Sequence, residues 1–278
     1  MKKNNSKLRI LAWLIVVRIL NFWFLHKKLA KNSCCNCVLK PLNNSNLDII
    51  TIAFNNEFLI EEQIRLVKKY ILDKNYTHII VDNSSDIFKR KLIRDICIRE
   101  NVAYVSIPKF PFMFCNHGFS LNYTYRNIIS VRKPAYFGLI DHDIFPTKPY
   151  SISDKMANQD FYGTLVNRVK GWYLWAGFCF FNYNKIKHLK INFLPYKTGE
   201  DSFLDTGGGN YPVLYSKYDK EELKFAVPIV EKSIREGSDY LSDFVHFIDN
   251  DWLHTINGSN WAKGRNKDDI IKELLKQY

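Results

Sequence analysis

Glycine and proline are scarce in this chain of 278 residues, at 12 and 9, which excludes collagen-like and low-complexity disordered classes. Cysteine is sparse too. Six occur, Cys34, Cys35, Cys37, Cys97, Cys115 and Cys179, and no second Cys or His cluster follows the first three at zinc-finger spacing. Cys34, Cys35 and Cys37 could take S-acylation or a metal, although free thiols in a reducing compartment fit better. The other three sit among apolar or aromatic neighbours and read as small buried hydrophobes. Acidic residues are missing altogether before Asp48, whereas nine Lys and Arg precede it. Those nine account for most of the net charge of +12 and leave only three for everything after. A nucleic-acid-binding fold spreads or stripes its basic residues over the folded body, so no nucleic acid is expected as a partner. Internal repeats and biased tracts are also absent, which excludes solenoids and arrays.

What is present is enough apolar material for a core. The chain is 46% hydrophobic and 15% aromatic, which at this length fits one large domain or one domain with a small appendage. Leu8 to Leu25 is almost wholly apolar, flanked by Lys2, Lys3 and Lys7 before it and His26, Lys27 and Lys28 after it. As a helix these 18 residues cover roughly 27 Å, just short of a hydrocarbon core of about 30 Å. Arg18 near the middle would cost about 2.5–3.5 kcal/mol on insertion scales. A monotopic helix at a membrane surface fits best, with Trp13, Phe22 and Trp23 at the interface and the basic residues on anionic headgroups. A short signal-anchor and an ordinary core helix are the alternatives. Arg18 and the lack of a small-residue cleavage site argue against a cleaved secretory signal. Residues 32 to 47, rich in Asn, Ser and Cys and holding Pro41, read as a linker. Two regions are therefore expected: a basic apolar segment and linker over 1–46, and a folded domain over 47–278 that stands without it. Localisation is expected on the cytoplasmic side of a membrane, peripheral or N-terminally anchored.

From Leu47 onward the pattern alternates. Asp48 to Phe54 is a short β-branched run ending in Asn55-Asn56, and Phe58 to Leu72 shows helical apolar spacing with Glu57, Glu61 and Glu62 at its start. His78 to Val81 is a strand running into Asp82, Ile87 to Glu100 is helical, and Val102 to Ile107 is the next strand. After the polar Cys115-Asn116-His117-Gly118 a helix continues to about Val131. Tyr136 to Ile140 is a buried strand that ends in Asp141-His142-Asp143, and Phe161 to Tyr183 is strand-like with a break at Trp175-Ala176-Gly177. A charged helix is expected over Lys267 to Gln277. Strands that are apolar throughout, alternating with helices, imply an α/β fold: a mostly parallel sheet with helices on both faces. Ligands in such sheets bind beyond the carboxyl ends of the strands.

Several candidate site residues fall at those ends. Asp141 and Asp143 flank one residue after a buried strand, and two hard oxygen ligands there suit Mn²⁺ or Mg²⁺ held jointly with a substrate's phosphates. Asp82 ends the second strand, and Asn55 and Asn56 end the first. All three could line the same crevice and accept from a base or ribose, although turn chemistry alone also explains them. Asp205 precedes three glycines, a backbone able to approach a sugar or phosphate. His246 and His254, with Gly258-Ser259 nearby, offer a further ligand or a phosphate-binding loop.

The segments IIVDNSSD (79–86), CNHGFSLNYTYRN (115–127), GLIDHDIFP (138–146), WAGFCFFN (175–182) and EDSFLDTGG (200–208), with the Asn55-Asn56 strand before them, follow one another in a telling order. That order resembles the GT-A-type glycosyltransferases, and the chain looks like a member of glycosyltransferase family 2 or a close relative over residues 47 to 260. The resemblance implies a GT-A-like fold and transfer of a sugar from a nucleotide-diphosphate sugar donor to a hydroxyl acceptor, a glycan or lipid-linked saccharide. It implies a metal-dependent, inverting reaction with Mn²⁺ or Mg²⁺ as cofactor. Asp82 would contact the base, Asp141 the ribose or metal, and Asp143 the metal, with His254 as a further ligand. Asn116 and Gly118 would lie on the donor side. Trp175, Ala176 and Gly177 would form the acceptor side, and the base would be Asp205 or Asp201 of the Glu200-Asp201 pair. The family's Gln/Arg-x-x-Arg-Trp signature is absent, which argues against processive polysaccharide synthesis. The rivals are a metal-dependent nucleotidyltransferase or phosphohydrolase using the same Asp-x-Asp, and a catalytically lapsed nucleotide-sugar-binding protein of the same fold.

Overall fold

The computed structural model describes residues 2–29, 33–35, 47–109, 116–198, 203–233, 244–255 and 268–278, with 2–11, 14, 116, 230–233 and 244 through their backbone alone. The chain opens with α1 (Lys2–Leu25) and a short strand β1 (Cys34–Cys35). Then comes the alternation: β2 (Leu47–Ala53), α2 (Glu57–Tyr70), β3 (Tyr76–Asp82), α3 (Ile87–Arg99), β4 (Ala103–Ser106) and α4 (Asn116–Thr124). A wider π-type turn, Tyr125–Ile129, and α5 (Ser130–Arg132) lead into β5 (Tyr136–Asp141) and β6 (Ile144–Pro146). After α6 (Ile152–Met156) follow β7 (Phe161–Arg168), β8 (Gly171–Asn182), α7 (Tyr183–Ile186), β9 (Tyr196–Lys197) and β10 (Phe203–Leu204). The last elements are β11 (Pro228–Ser233), β12 (Phe244–Ile248), β13 (Trp252–His254) and α8 (Asp268–Leu275).

Seven strands form the central sheet in the order β1-β4-β3-β2-β5-β8-β7. β4, β3, β2 and β5 are parallel, while β1 at one edge and β8 followed by β7 at the other are antiparallel to their neighbours. The fold is thus α/β with a mostly parallel sheet, and every residue of β2 is buried, as expected of a strand covered on both faces. Successive side chains of β2 and β3 point to opposite faces. Ile50, Ile52, Ile79 and Val81 pack with Phe119 and Leu121 of α4, whereas Ile80 packs with Ile60 and Ile64 of α2 and Ile93 of α3. Asn56 and Asp86 cap α2 and α3 through side-chain oxygens, which starts both helices immediately after their strands. Arg132, the last residue of α5, and Asp48 of β2, 2% and 0% exposed, pair through two hydrogen bonds of 2.7 and 2.8 Å.

Two sequence expectations change here. The stretch from Phe161 to Tyr183 does break, but at Val169-Lys170 rather than at Trp175-Ala176-Gly177, because β8 runs without interruption through those three residues. The turn is made by Gly171, whose φ of +136° other residues rarely adopt. The second concerns α1. Val17 and Phe24 are buried in the main core cluster, with Trp13, Leu20 and Leu25 packed against it. Phe24 lies 5.2 Å from Tyr123 and 6.3 Å from Phe119 between ring centroids. Asn122 Nδ2 donates to Asn21 Oδ1 at 3.1 Å, and Tyr123 donates its hydroxyl to the Lys27 carbonyl at 2.9 Å. One stripe of α1 therefore belongs to the core, and the expectation that the body stands without this segment does not follow from the packing. The opposite stripe, Ile15, Val16, Ile19, Phe22 and Trp23, is exposed by 47–66%. Among the described residues no helix is long and apolar enough to cross a membrane.

A second, four-stranded antiparallel sheet, β11-β12-β13-β6, hangs from the carboxyl end of β5. Its register pairs His254 with Ile144 and His246 with His254. That pairing brings the far end of the chain beside the turn between β5 and β6.

Candidate active site

Asp141 closes β5, and Asp143 opens into β6. His254 reaches this turn because β13 is the cross-strand neighbour of β6, so that its Nε2 lies 3.9 Å from Asp143 Oδ2. His117, in the first turn of α4, comes from the other side and places Nε2 3.5 Å from Asp141 Oδ1. Trp175 and Gly177 complete the group from β8. The Trp175 ring is 4.9 Å from that of His254, and His246 sits 5.7 Å beyond it, edge to face. A Cβ on Gly177 would fall 2.3 Å from Trp175 Cζ2 and 2.4 Å from Asp141 Oδ2. Glycine is thus what lets the indole and the carboxylate share one spot. Ala176, between them, points the other way into the core at 2% exposure, so it does not line the crevice as the sequence reading expected.

The electrostatics of the group are unbalanced. Burial, and after it the neighbouring Asp143, pushes the Asp141 carboxyl up to about 7, against a smaller lowering by His142 and His254. Burial lowers His117 to about 4 in spite of Asp205 and Asp143, and burial with His254 lowers His246. His117 and His246 are thereby kept neutral near pH 7, the form in which an imidazole can serve as a metal ligand. Among the described residues no three such side chains already converge as an ion cage. The donor set nevertheless fits a hard divalent cation of the Mn²⁺ or Mg²⁺ kind. Such ions take one or two carboxylates from the protein and complete their shell with substrate phosphates and water.

Asp205 lies within electrostatic reach of His117 and Tyr173. Its turn is anchored by Gly207 N–H donating to the Phe193 carbonyl at 2.8 Å and Gly209 N–H to the Leu194 carbonyl at 2.8 Å, with Gly207 at φ +96°. Its own Oδ1 accepts from Thr206 N at 2.7 Å, and the side chain is exposed. Glu200, Asp201, Gly258, Ser259 and the side chain of Asn116 lie outside the described residues. Gly118 packs α4 against the 193–194 loop, where a Cβ would meet the Phe193 carbonyl oxygen at 3.0 Å.

The structure does not bring Asn55, Asn56 and Asp82 into this group. Asp82 is 0% exposed, and its oxygens accept from Ser84 N at 2.8 Å and from the Tyr104 hydroxyl at 2.9 Å. Asn55, at φ +51°, accepts from Ser85 N and Asp86 N and donates to Ser85 Oγ. Asn56 is the cap of α2. Their polar atoms stitch two loops together, which is the turn chemistry that Asn and Asp favour. His117 and Gln63 were missed as site residues. For Gln63 the signal was an amide in the apolar stripe of α2; for His117 it was only its place between Asn116 and Gly118.

No family model matches the sequence, and neither does any curated protein sequence. Solved structures resemble it weakly. The bifunctional glycosyltransferase WbbM, in its apo form, is similar at 11% identity over 55% of this chain and 34% of that one, with a TM-score of 0.38. Mannosyltransferase PcManGT from Pyrobaculum calidifontis, in complex with GDP-Man and Mn²⁺, is similar at 13% identity over 62% and 53%, TM-score 0.37. Galactosyltransferase LgtC, in complex with donor and acceptor sugar analogues, follows at 12% over 50% and 58%, TM-score 0.37. The chain spans between a third and three fifths of the length of these three proteins. At this level of likeness the assignment of fold and site rests on the strand order and side chains described above.

Proposed function

We propose that the protein is a GT-A-type glycosyltransferase, which moves a sugar from a nucleotide-diphosphate sugar to a hydroxyl group of a glycan or lipid-linked saccharide. The observation that carries the reading is the meeting of Asp141 and Asp143 with His254 at the carboxyl end of a parallel strand, where burial and then the neighbouring Asp143 raise the Asp141 carboxyl to about 7. Asp141, Asp143 and His254 would hold Mn²⁺ or Mg²⁺. That cation, when bound, supplies positive charge to the diphosphate as the leaving group becomes more negative. Trp175 and Gly177 flank the reacting sugar. Asp205 takes the acceptor proton while the acceptor oxygen bonds to the anomeric carbon and the bond from that carbon to the diphosphate breaks, a single displacement that inverts the centre. A nucleotidyltransferase or phosphohydrolase would use the same carboxylates but release pyrophosphate or free phosphate.

The test is a binding and product assay with UDP- and GDP-sugars. Asp143→Ala is expected to abolish Mn²⁺-dependent donor binding while the chain stays folded. Asp205→Asn is expected to keep donor affinity and lose roughly 10²-fold in transfer, the usual worth of a general base. Activity retained in Asp205→Asn and lost in Asp201→Asn would move the base to Asp201. Release of pyrophosphate would replace the transfer reading with the rival.

The exposed stripe of α1 supports an anionic membrane surface on the cytoplasmic side as the place of action, peripheral or N-terminally anchored. Ile15, Ile19, Phe22 and Trp23 offer apolar area, and Arg18, Lys27 and Lys28 offer charge, with no acidic residue in this part of the chain. Replacing Ile19 and Phe22 together by Ser should detach the protein from anionic vesicles with its unfolding midpoint unchanged. Undiminished vesicle binding would refute this attachment.

A further inference from the structure

Gln63 is 0% exposed and sits on the face of α2 that also carries Leu59, Ile60, Ile64 and Val67. The helical pattern asks for an aliphatic side chain there, so the amide is to be explained by its hydrogen bonds. Both of its N–H hydrogens are used: Nε2 donates to the Asp141 carbonyl at 2.8 Å and to the Ile144 carbonyl at 2.7 Å. Its Oε1 accepts from the Thr51 hydroxyl at 2.6 Å. An amide oxygen can only accept, so the Thr51 hydrogen is committed to it. The Thr51 oxygen must then accept from His78 Nε2–H, which lies 3.0 Å away. Burial holds His78 neutral, lowered to about 3, and neutral His78 has one N–H to give. Turning the Gln63 amide over would set its oxygen against two carbonyl oxygens, so the chain from His78 through Thr51 fixes which way it faces.

The two carbonyls that Gln63 grips bracket the Asp141-His142-Asp143 turn. Between them the Asp143 carbonyl accepts from Thr255 N at 3.0 Å, and His142 Nδ1–H donates to the Ile52 carbonyl at 3.1 Å. We infer that Gln63, locked by Thr51, is a positioning residue that sets the Asp141 to Asp143 turn for a divalent cation and a nucleoside diphosphate. This rests on the proposed function. The physical reason is that the two carboxylates repel each other and the turn is short. Without a tie across its base, the turn relaxes toward a wider spacing, and ligand binding must then re-close it.

The experiment compares wild type, Gln63→Glu, Gln63→Leu, Thr51→Val and Thr51→Ser with Ile93→Ala, a core variant remote from the turn that serves as a stability control. Each is followed by Mn²⁺ affinity from the free-ion paramagnetic signal, by UDP and GDP affinity with Mn²⁺, and by amide hydrogen exchange across residues 140–145. Gln63→Glu and Gln63→Leu should weaken Mn²⁺ binding at least 10-fold and speed exchange in that segment. Thr51→Val should do so less, Thr51→Ser should match wild type, and Ile93→Ala should melt earlier with Mn²⁺ affinity unchanged. Folded Gln63 variants with wild-type Mn²⁺ affinity overturn the inference. If neither Gln63 variant folds, the Thr51 pair decides: Val weakened with Ser intact supports it, and Val equal to wild type overturns it. A wild-type chain that binds neither Mn²⁺ nor nucleotide removes the proposed function and this inference together, whereas wild-type binding with indifferent variants removes only the inference.

Discussion

Phe24→Ala separates a helix that merely adjoins the domain from one that is part of it. The ring is 0% exposed and lies in tilted contact with Tyr123 and edge-on to Phe119. Removing it deletes buried apolar area and leaves a cavity beneath α1, because Phe119 and Tyr123 are themselves held by the sheet. Phe→Ala at such sites costs about 3–5 kcal/mol. For a domain of this size about 1 kcal/mol moves the melting temperature by roughly 2–4 °C, so a fall of about 6–20 °C is expected. Phe22, one half-turn away and 66% exposed, provides the comparison. Phe22→Ala should stay within about 0.5 kcal/mol of wild type. The assay is urea unfolding followed by tryptophan fluorescence and, separately, by far-ultraviolet circular dichroism, so that loss of α1 alone would show as two unequal transitions. A chain starting at Leu42 should reproduce the loss, since it strips the same core face. Equal midpoints for wild type, Phe24→Ala and the shortened chain would refute the docking of α1.

Gly177→Ala should weaken Mn²⁺-dependent nucleotide binding at least 10-fold, because the added methyl occupies space now shared by Trp175 and Asp141, and such crowding costs about 1–3 kcal/mol. Calorimetric titration with Mn²⁺ and nucleotide checks it, and unchanged affinity would refute the reading of that glycine. The raised Asp141 carboxyl carries a pH signature. In the native chain it keeps its proton up to about 7, whereas unfolded it loses the proton above 3.8. Native protein therefore binds more protons across that window, and stability falls as pH rises through it. Wild type should accordingly lose stability relative to Asp141→Asn between about pH 4 and 7, with Mn²⁺ reversing the loss at the upper end. A constant difference across that range would refute it.

The order of strands and helices from Leu47 to Asp141 could be read from the sequence because both signals are local: apolar β-branched runs for buried strands, and 3.6-residue spacing behind Asn and Asp caps for α2 and α3. Asp141 and Asp143 could be singled out for the same reason, since the end of a buried strand is visible in the chain itself. Their companions could not. His254 meets Asp143 only because β13 pairs with β6 across more than a hundred residues of intervening chain, and a register of that kind leaves no local mark. Ala176 and Gly177 differ in role because β8 runs straight through them, so alternation sends one to the core and the other to the crevice. Asp82 and Asn55 looked like ligand contacts by position, but the tertiary structure supplied Tyr104, Ser84 and Ser85 to take up their polar atoms. In α1 the apolar run was evident while its two faces were not. Which side meets Phe119 and Tyr123 and which meets solvent depends on where α4 lies, and only the packed chain decides that.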